Sequence, residues 1–315
     1  MRATPITSDG RLGLADHHPG MSDPRYLRRR RAFAALARGH QVGEASPIVQ
    51  YTEDEHATWR KVHSILAQAH RRHACREVLE AREHAPIPLD RIPQHEEVGA
   101  ELKRRTGFTF TLAGGVVPNK RFLGSMARGY FHAVQFVRHP AVPLYTPEPD
   151  VIHDIFGHGI HLTSPAIADI YRLSGQAAAR VNSPEALEVI SHVYWFTLEC
   201  GLVAEHGVPK AFGAALLSSY GEIGRSVRQI RELDVSDVMR TGYEISEYQP
   251  VLFCAHSLGH MTDTLGGFLE TLDDDAVPRP CREAGQASSG NSAGPGWRSR
   301  RFTYPPPIKE TLPSA

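Results

Sequence analysis

Two histidines five residues apart, the second of them bracketed by glycines, constrain this chain more than any other feature. The stretch 150–161 reads DVIHDIFGHGIH. An α-helix completes a turn about every 3.6 residues, so a spacing of five sets His153 and His158 off a common face. Gly157 and Gly159 flank the second His. Glycine lets the backbone leave helical dihedrals at little steric cost. The expectation is a short helix that carries His153, ends near Gly157 and swings His158 back toward the same point. Two imidazoles held that way form half of a metal site.

A third ligand stands in a second stretch. Residues 189–203 read VISHVYWFTLECGLV, apolar almost all round. A helix of that composition is normally buried. Glu199 sits in its middle, and a buried carboxylate is costly unless it is paired, hydrogen-bonded or on a metal. His153, His158 and Glu199 together make a two-His, one-carboxylate face, the set typical of non-haem Fe(II) enzymes that use O2. Two plainer readings stand beside it. Eighteen His make chance pairs common, and Glu199 paired with a buried Arg would meet the same cost.

Composition narrows the classes. The 315 residues suffice for one large domain or two small ones, and 35 basic residues cancel 35 acidic ones. Zero net charge argues against nucleic acid or an anionic membrane as the main partner. The chain lacks an apolar run of about 18 residues and a signal-peptide core, so a cytoplasmic protein without a membrane span is expected. Cys75, Cys200, Cys254 and Cys281 lack CxxC spacing and read as reduced thiols.

The expected organisation is an N-terminal arm over 1–50, partly disordered, with one Arg-rich helix; a catalytic domain over 51–272; and a poorly ordered tail over 273–315. The arginines at 28–31 read as a solvated helix face. TEDE at 52–55 has capping-box spacing. The helix behind it puts Trp59, Val62, Leu66 and Ala69 on one side, leaving His56, His63, His70 and His73 as polar surface positions. Residues 96–105 read as a helix, and 107–112 and 130–138 as strands. Ser164-Pro165 and Ser183-Pro184 predict helices over 165–180 and 184–206. Further helices are expected over 212–223 and 250–272, and a short strand over 243–248.

Four motifs in order, YTPEPD at 145–150, HDIFGH at 153–158, YWFTLE at 194–199 and LLSSYGE at 216–222, carry a family resemblance. The chain resembles the pterin-dependent aromatic amino acid hydroxylases, the small bacterial phenylalanine hydroxylases in particular, from about residue 51 to about 272. The resemblance implies a single, mostly α catalytic domain with a few short strands. It also implies Fe(II), a tetrahydropterin and O2. The arm is too short for the regulatory domain of the animal enzymes, and the tail is too rich in Pro and Gly for their tetramer helix, so a monomer is expected.

By the same resemblance His153, His158 and Glu199 bind iron, and Glu199, Tyr194 and Asp154 stand at the reacting centre. Gly115, Val117, Phe122, His132, Asp154, Ser191 and Tyr194 match positions that hold the pterin. Arg138 matches the residue that grips the substrate carboxylate, with Thr146 and Ser218 nearby, and Pro149 and Trp195 match the walls around the substrate ring. The activity so implied is hydroxylation of L-phenylalanine to tyrosine. The alternatives are the same chemistry on L-tryptophan or at the meta carbon of phenylalanine, and an inactive homologue that only binds an amino acid. Trp195 favours phenylalanine over tryptophan.

Three departures from the family's pattern bear on the site. Cys200 stands where Phe is usual, Gly159-Ile160-His161 where Val-Pro-Leu is usual, and His256 where an acidic residue is usual. The smaller side chain at 200 is expected to enlarge the space behind the substrate and to alter the ring position attacked or the substrate range.

Overall fold

The computed structural model describes residues 18–115, 117–144, 148–225, 229–243 and 248–275. Helices α1 (Pro24–Ala37), α2 (Glu53–His73), α3 (Arg76–His84) and α4 (His95–Thr106) open the chain. The Thr52 hydroxyl accepts from Glu55 N at 3.3 Å while the Glu55 carboxylate accepts from Thr52 N at 2.7 Å, so the capping box starts α2 as its spacing predicts. Gly107 ends α4 at φ +77°, a conformation that costs glycine nothing.

Strand β1 (Thr109–Leu112) pairs in parallel with β2 (Tyr130–Ala133) across α5 (Asn119–Met126). β2 is shorter than the sequence suggests, because 134–138 are buried but lie outside the sheet. Next come α6 (Val151–His153), α7 (Pro165–Arg180) and α8 (Pro184–Tyr194). Four strands, β3 (Leu202–Glu205), β4 (Val208–Ala211), β5 (Gln229–Glu232) and β6 (Val251–Ala255), form a second sheet in the order β4-β3-β6-β5. Helices α9 (Ala214–Ser218), α10 (Val235–Arg240) and α11 (Leu258–Thr271) complete a mostly helical catalytic domain.

Several expectations are corrected. The helix from 184 stops short of 206, since β3 begins at Leu202. The helix expected over 212–223 is only α9, and 250–252 begin a strand, not a helix. Of the strand expected over 243–248, residues 244–247 lie outside the described residues, and Tyr243 and Tyr248 are in no strand.

His70 and His73 are buried, not surface positions. His70 Nε2 donates to Leu217 O at 2.7 Å and joins α2 to α9. Of the arginines at 28–31, Arg28 and Arg31 are exposed as expected, but Arg29 and Arg30 are not a solvated face. Arg29 pairs with Glu55 at 2.8 Å. Arg30 is buried, pairs with Glu148 and lies 3.2 Å from the centroid of the Phe136 ring. Phe33 packs in a satellite core with Val49, Ala113, Val134 and Phe136. The described part of the arm is therefore fastened to the domain. Residues 1–17 and 276–315, including Cys281 and most of the expected tail, lie outside the described residues.

Candidate active site

The His pair is brought together by a wider helix, not by a helix end. After α6 the chain continues as a π-helical stretch, Asp154–Gly159, in which Ile160 N reaches back to Ile155 O. Hydrogen bonding from i to i+5 widens the turn and brings residues five apart nearer one face than the α-helix does. The same device recurs after α8, where Trp195–Glu199 is π-helical and Cys200 N donates to Trp195 O at 2.8 Å. The second stretch turns Glu199 toward the two imidazoles.

The three groups converge. His153 Nε2 lies 3.0 Å from His158 Nε2, His158 Nε2 lies 3.1 Å from Glu199 Oε1, and His153 Nε2 lies 3.6 Å from Glu199 Oε2. Ligand atoms about 2.1 Å from one metal and at right angles to each other sit roughly 3.0 Å apart, so the spacing fits one face of an octahedron. Glu199 Oε2 is buried without a hydrogen-bond partner, as a group meant for a cation would be. Burial pushes His153 down to about 4 and His158 to about 3, while it pushes the Glu199 carboxyl up, against the pull of His153. Burial thus disfavours a charged imidazole beside a charged carboxylate, which argues against a structural ion pair. Among the described residues Glu199 lies near no Arg or Lys in an ion pair.

Asp154 competes for the role of third ligand, since it too places an oxygen within 4.8 Å of the two imidazoles. Its Oδ2, however, accepts from Val134 N at 2.7 Å. Burial holds its carboxyl well above the usual range. Glu199 is the better ligand because it is the oxygen with nothing else to bind.

Around this centre a single cavity is lined by Gly115, Val117, Phe122, His132, Arg138, Pro149, Asp154, Ser191, Tyr194, Trp195, Cys200 and Ser218 together with the three candidate ligands. Every site residue singled out from sequence faces it except Thr146, which lies outside the described residues. Phe122 stands edge to face with Tyr194 at 5.7 Å and 6.4 Å from the His132 ring. Asn119 fixes Ser191 through a 2.9 Å hydrogen bond. Trp195 stacks on Tyr243 at 4.8 Å and donates from Nε1 to Gln249 Oε1 at 3.3 Å.

Arg138 is buried. Its Nε and Nη2 bind the two Asp150 oxygens at 3.0 and 2.8 Å. Burial alone would raise the Asp150 carboxyl, but the facing Arg138 charge and N–H groups outweigh it and hold it low. Asp150 also accepts from His153 N at 3.0 Å and so ties Arg138 to the first ligand. The fork toward Asp150 is filled. Among the described residues the opposite Nη1–Nη2 edge makes only long contacts, 3.4 Å to Pro143 O and 3.3 Å to Ser218 O.

Sequence reasoning missed Asn119, Glu148, Ser219 and Gln249, which also line the cavity. Glu148 lay inside the YTPEPD motif and Ser219 inside LLSSYGE, so their motifs marked them. Asn119 and Gln249 carried no signal of their own.

A fold of this kind around such a centre defines an aromatic amino acid hydroxylase. The chain belongs to the biopterin-dependent aromatic amino acid hydroxylase family, whose profile matches residues 6–277, a longer span than the sequence motifs mark. It is 46% identical over 262 residues to phenylalanine 3-hydroxylase of Streptomyces coeruleorubidus, covering 82% of this chain and 94% of that one. It is 40% identical to tyrosine 3-monooxygenase of Bos taurus, covering 81% of this chain but 53% of that longer protein. Phenylalanine hydroxylase of Chromobacterium violaceum, solved with iron(III) and 7,8-dihydrobiopterin, superposes with a TM-score of 0.68 at 26% identity, over 77% of this chain and 89% of that one. Among the described residues no helix is long and apolar enough to cross a membrane.

Proposed function

We propose that this protein hydroxylates the aromatic ring of L-phenylalanine at the meta carbon, with Fe(II) held by His153, His158 and Glu199. The observation that supports it best is the convergence of two imidazole nitrogens and a carboxylate oxygen that has no other partner. Iron and a tetrahydropterin, when bound, supply the activation of O2. The chain supplies position and exclusion of water. Phe122 offers a flat apolar face to the pterin, with Gly115, Val117, His132, Ser191 and Tyr194 around it. The Nη1–Nη2 edge of Arg138 takes the substrate carboxylate, beside Ser218, and Pro149 and Trp195 wall the ring.

The meta position is favoured by the 46% identical phenylalanine 3-hydroxylase and by Cys200, which lines the cavity in place of the family's Phe. The para product, tyrosine, is the second reading; a phenylalanine 4-monooxygenase of Pinus taeda, 34% identical, supports it more weakly. The four large apolar side chains exposed among the described residues, Leu36, Ile48, Leu89 and Val208, sit on four separate segments, which favours a monomer, testable by light scattering.

The experiment is anaerobic loading with Fe(II), then pterin, O2 and phenylalanine, with product identification by mass spectrometry and chromatography against 3- and 4-hydroxyphenylalanine. The expected product is 3-hydroxyphenylalanine, and Cys200→Phe shifts the ratio toward tyrosine. Tyrosine alone from the wild type would remove the meta assignment. Amino acid binding without O2 consumption would remove the enzyme reading.

A further inference from the structure

The outer nitrogen of His158 meets neither a carboxylate nor a carbonyl. His158 Nδ1 lies 2.7 Å from the Tyr171 hydroxyl, that hydroxyl lies 2.8 Å from His161 Nδ1, and His161 Nε2 lies 2.8 Å from Phe212 O. His158, Tyr171 and His161 are buried, so water does not compete for these groups. Tyr171 comes from α7, His161 follows the π-helical turn, and Phe212 follows β4.

With neutral imidazoles, the carbonyl at the end of this chain orders its protons. A carbonyl oxygen only accepts, so His161 carries its proton on Nε2. A neutral imidazole then has a lone pair on Nδ1, and Tyr171 donates its one proton there. The phenolic oxygen is left as the acceptor toward His158, which therefore carries its proton on Nδ1. His158 Nε2 is a bare lone pair facing His153 and Glu199. The same ordering, with a longer last step, holds for His153. The Ser218 hydroxyl donates to Ala215 O at 3.3 Å and accepts from His153 Nδ1 at 2.8 Å. The 3.0 Å approach of the two Nε2 atoms is thus acceptor against acceptor, the arrangement a cation between them would satisfy.

We propose that Tyr171 and His161 are positioning residues, a proton-ordered relay that starts at the Phe212 carbonyl and locks His158 in the tautomer able to ligate a metal. The relay rests on the reading of His158 as a ligand. His161 stands where the family's pattern has Leu, so the device belongs to this chain's own departure from that pattern. Packing holds it in place. The His161 ring stacks on the Phe212 ring at 4.9 Å, and Phe131 lies 4.4 Å from the His158 ring.

Two measurements test the relay. In metal-free protein labelled with ¹⁵N-histidine, long-range ¹H–¹⁵N spectra should show His158 protonated on Nδ1. Titration with Co(II), followed by its visible absorption, should show affinity falling about 10–100-fold in Tyr171→Phe and His161→Leu, the usual weight of groups that orient a ligand. His161→Gln should recover most of it, since its amide offers the same donor and acceptor. His158 protonated on Nε2 in the wild type would overturn the proposal, and this readout stands even where a variant folds poorly. Wild-type cobalt affinity in Tyr171→Phe and His161→Leu would overturn the positioning role while leaving the metal site intact. Failure of the wild type itself to bind cobalt would overturn the ligand reading and the positioning role with it.

Discussion

Glu199 shows what one carboxylate does when three acceptors share a point. Without a cation, its Oε2 and the Nε2 atoms of His153 and His158 face one another with no donor to reconcile them. Glu199→Gln keeps the shape and adds an N–H pair, so its two expected effects have opposite signs. Metal affinity, read by calorimetric titration with Fe(II) or Co(II) under anaerobic conditions, should fall by more than about 100-fold, beyond what loss of an orienting group costs. The metal-free protein should melt at the same temperature or higher, by roughly 1 kcal/mol, because a new hydrogen bond replaces a repulsion. Unchanged metal affinity would remove Glu199 from the ligand set. A lower melting temperature without metal would mean that the carboxylate serves the fold.

The two π-helical turns are the elements that make the site, and each depends on close packing against α9. An added Cβ on Gly157 would meet Ala214 Cβ and Ala214 O at 2.7 Å, and the carbonyl is backbone that cannot step aside. Gly157→Ala should therefore destabilise the protein by about 1–3 kcal/mol, the usual cost of overpacking. It should also weaken metal binding, because α9 carries Ser218, the partner of His153. Denaturant unfolding together with metal titration checks both, and a variant as stable as the wild type would refute the packing argument. The sequence reported these turns only indirectly. Ligand spacing required that His153 and His158 meet, yet helical periodicity assumes 3.6 residues per turn, so the mode of meeting was not legible. Helix starts were legible, because Thr52 and Ser183 cap locally and Pro165 and Pro184 stand in first helical turns. Strand β6 was misread because VLFCA is a short apolar run that fits helix or strand equally, and the Ser257 cap that starts α11 was overlooked. The burial of His70 and Arg30 does carry a signal in the sequence. His70 sits four residues after Leu66 on the apolar stripe of α2, and Arg30 lies between Tyr26 and Phe33 on one face of α1.

Across the whole molecule, burial of histidine sets the response to acid. Burial pushes His70, His158 and His161 down to about 3, and His95, His132 and His153 down to about 4. In the unfolded chain all six return to an ordinary value near 6.5. A depressed folded value means stability that is fully present above 6.5 and is lost as pH falls toward 4. Three buried carboxyls oppose this, since burial raises Asp154 and Glu199, and Glu148 to about 7 despite the Arg30 charge. They hold their protons more firmly in the folded state and add stability as pH falls. The depressed imidazoles outnumber the raised carboxyls, so unfolding takes up protons as pH falls below 6.5 and stability falls with it. The metal-free protein should thus hold a level melting temperature above about pH 7 and lose it steeply between 6.5 and 5. Scanning calorimetry over that range measures it. A melting temperature that stays level down to pH 5 would mean that the imidazoles at the centre are charged in the folded protein, and the acceptor-lined site argued from their neutrality would not exist.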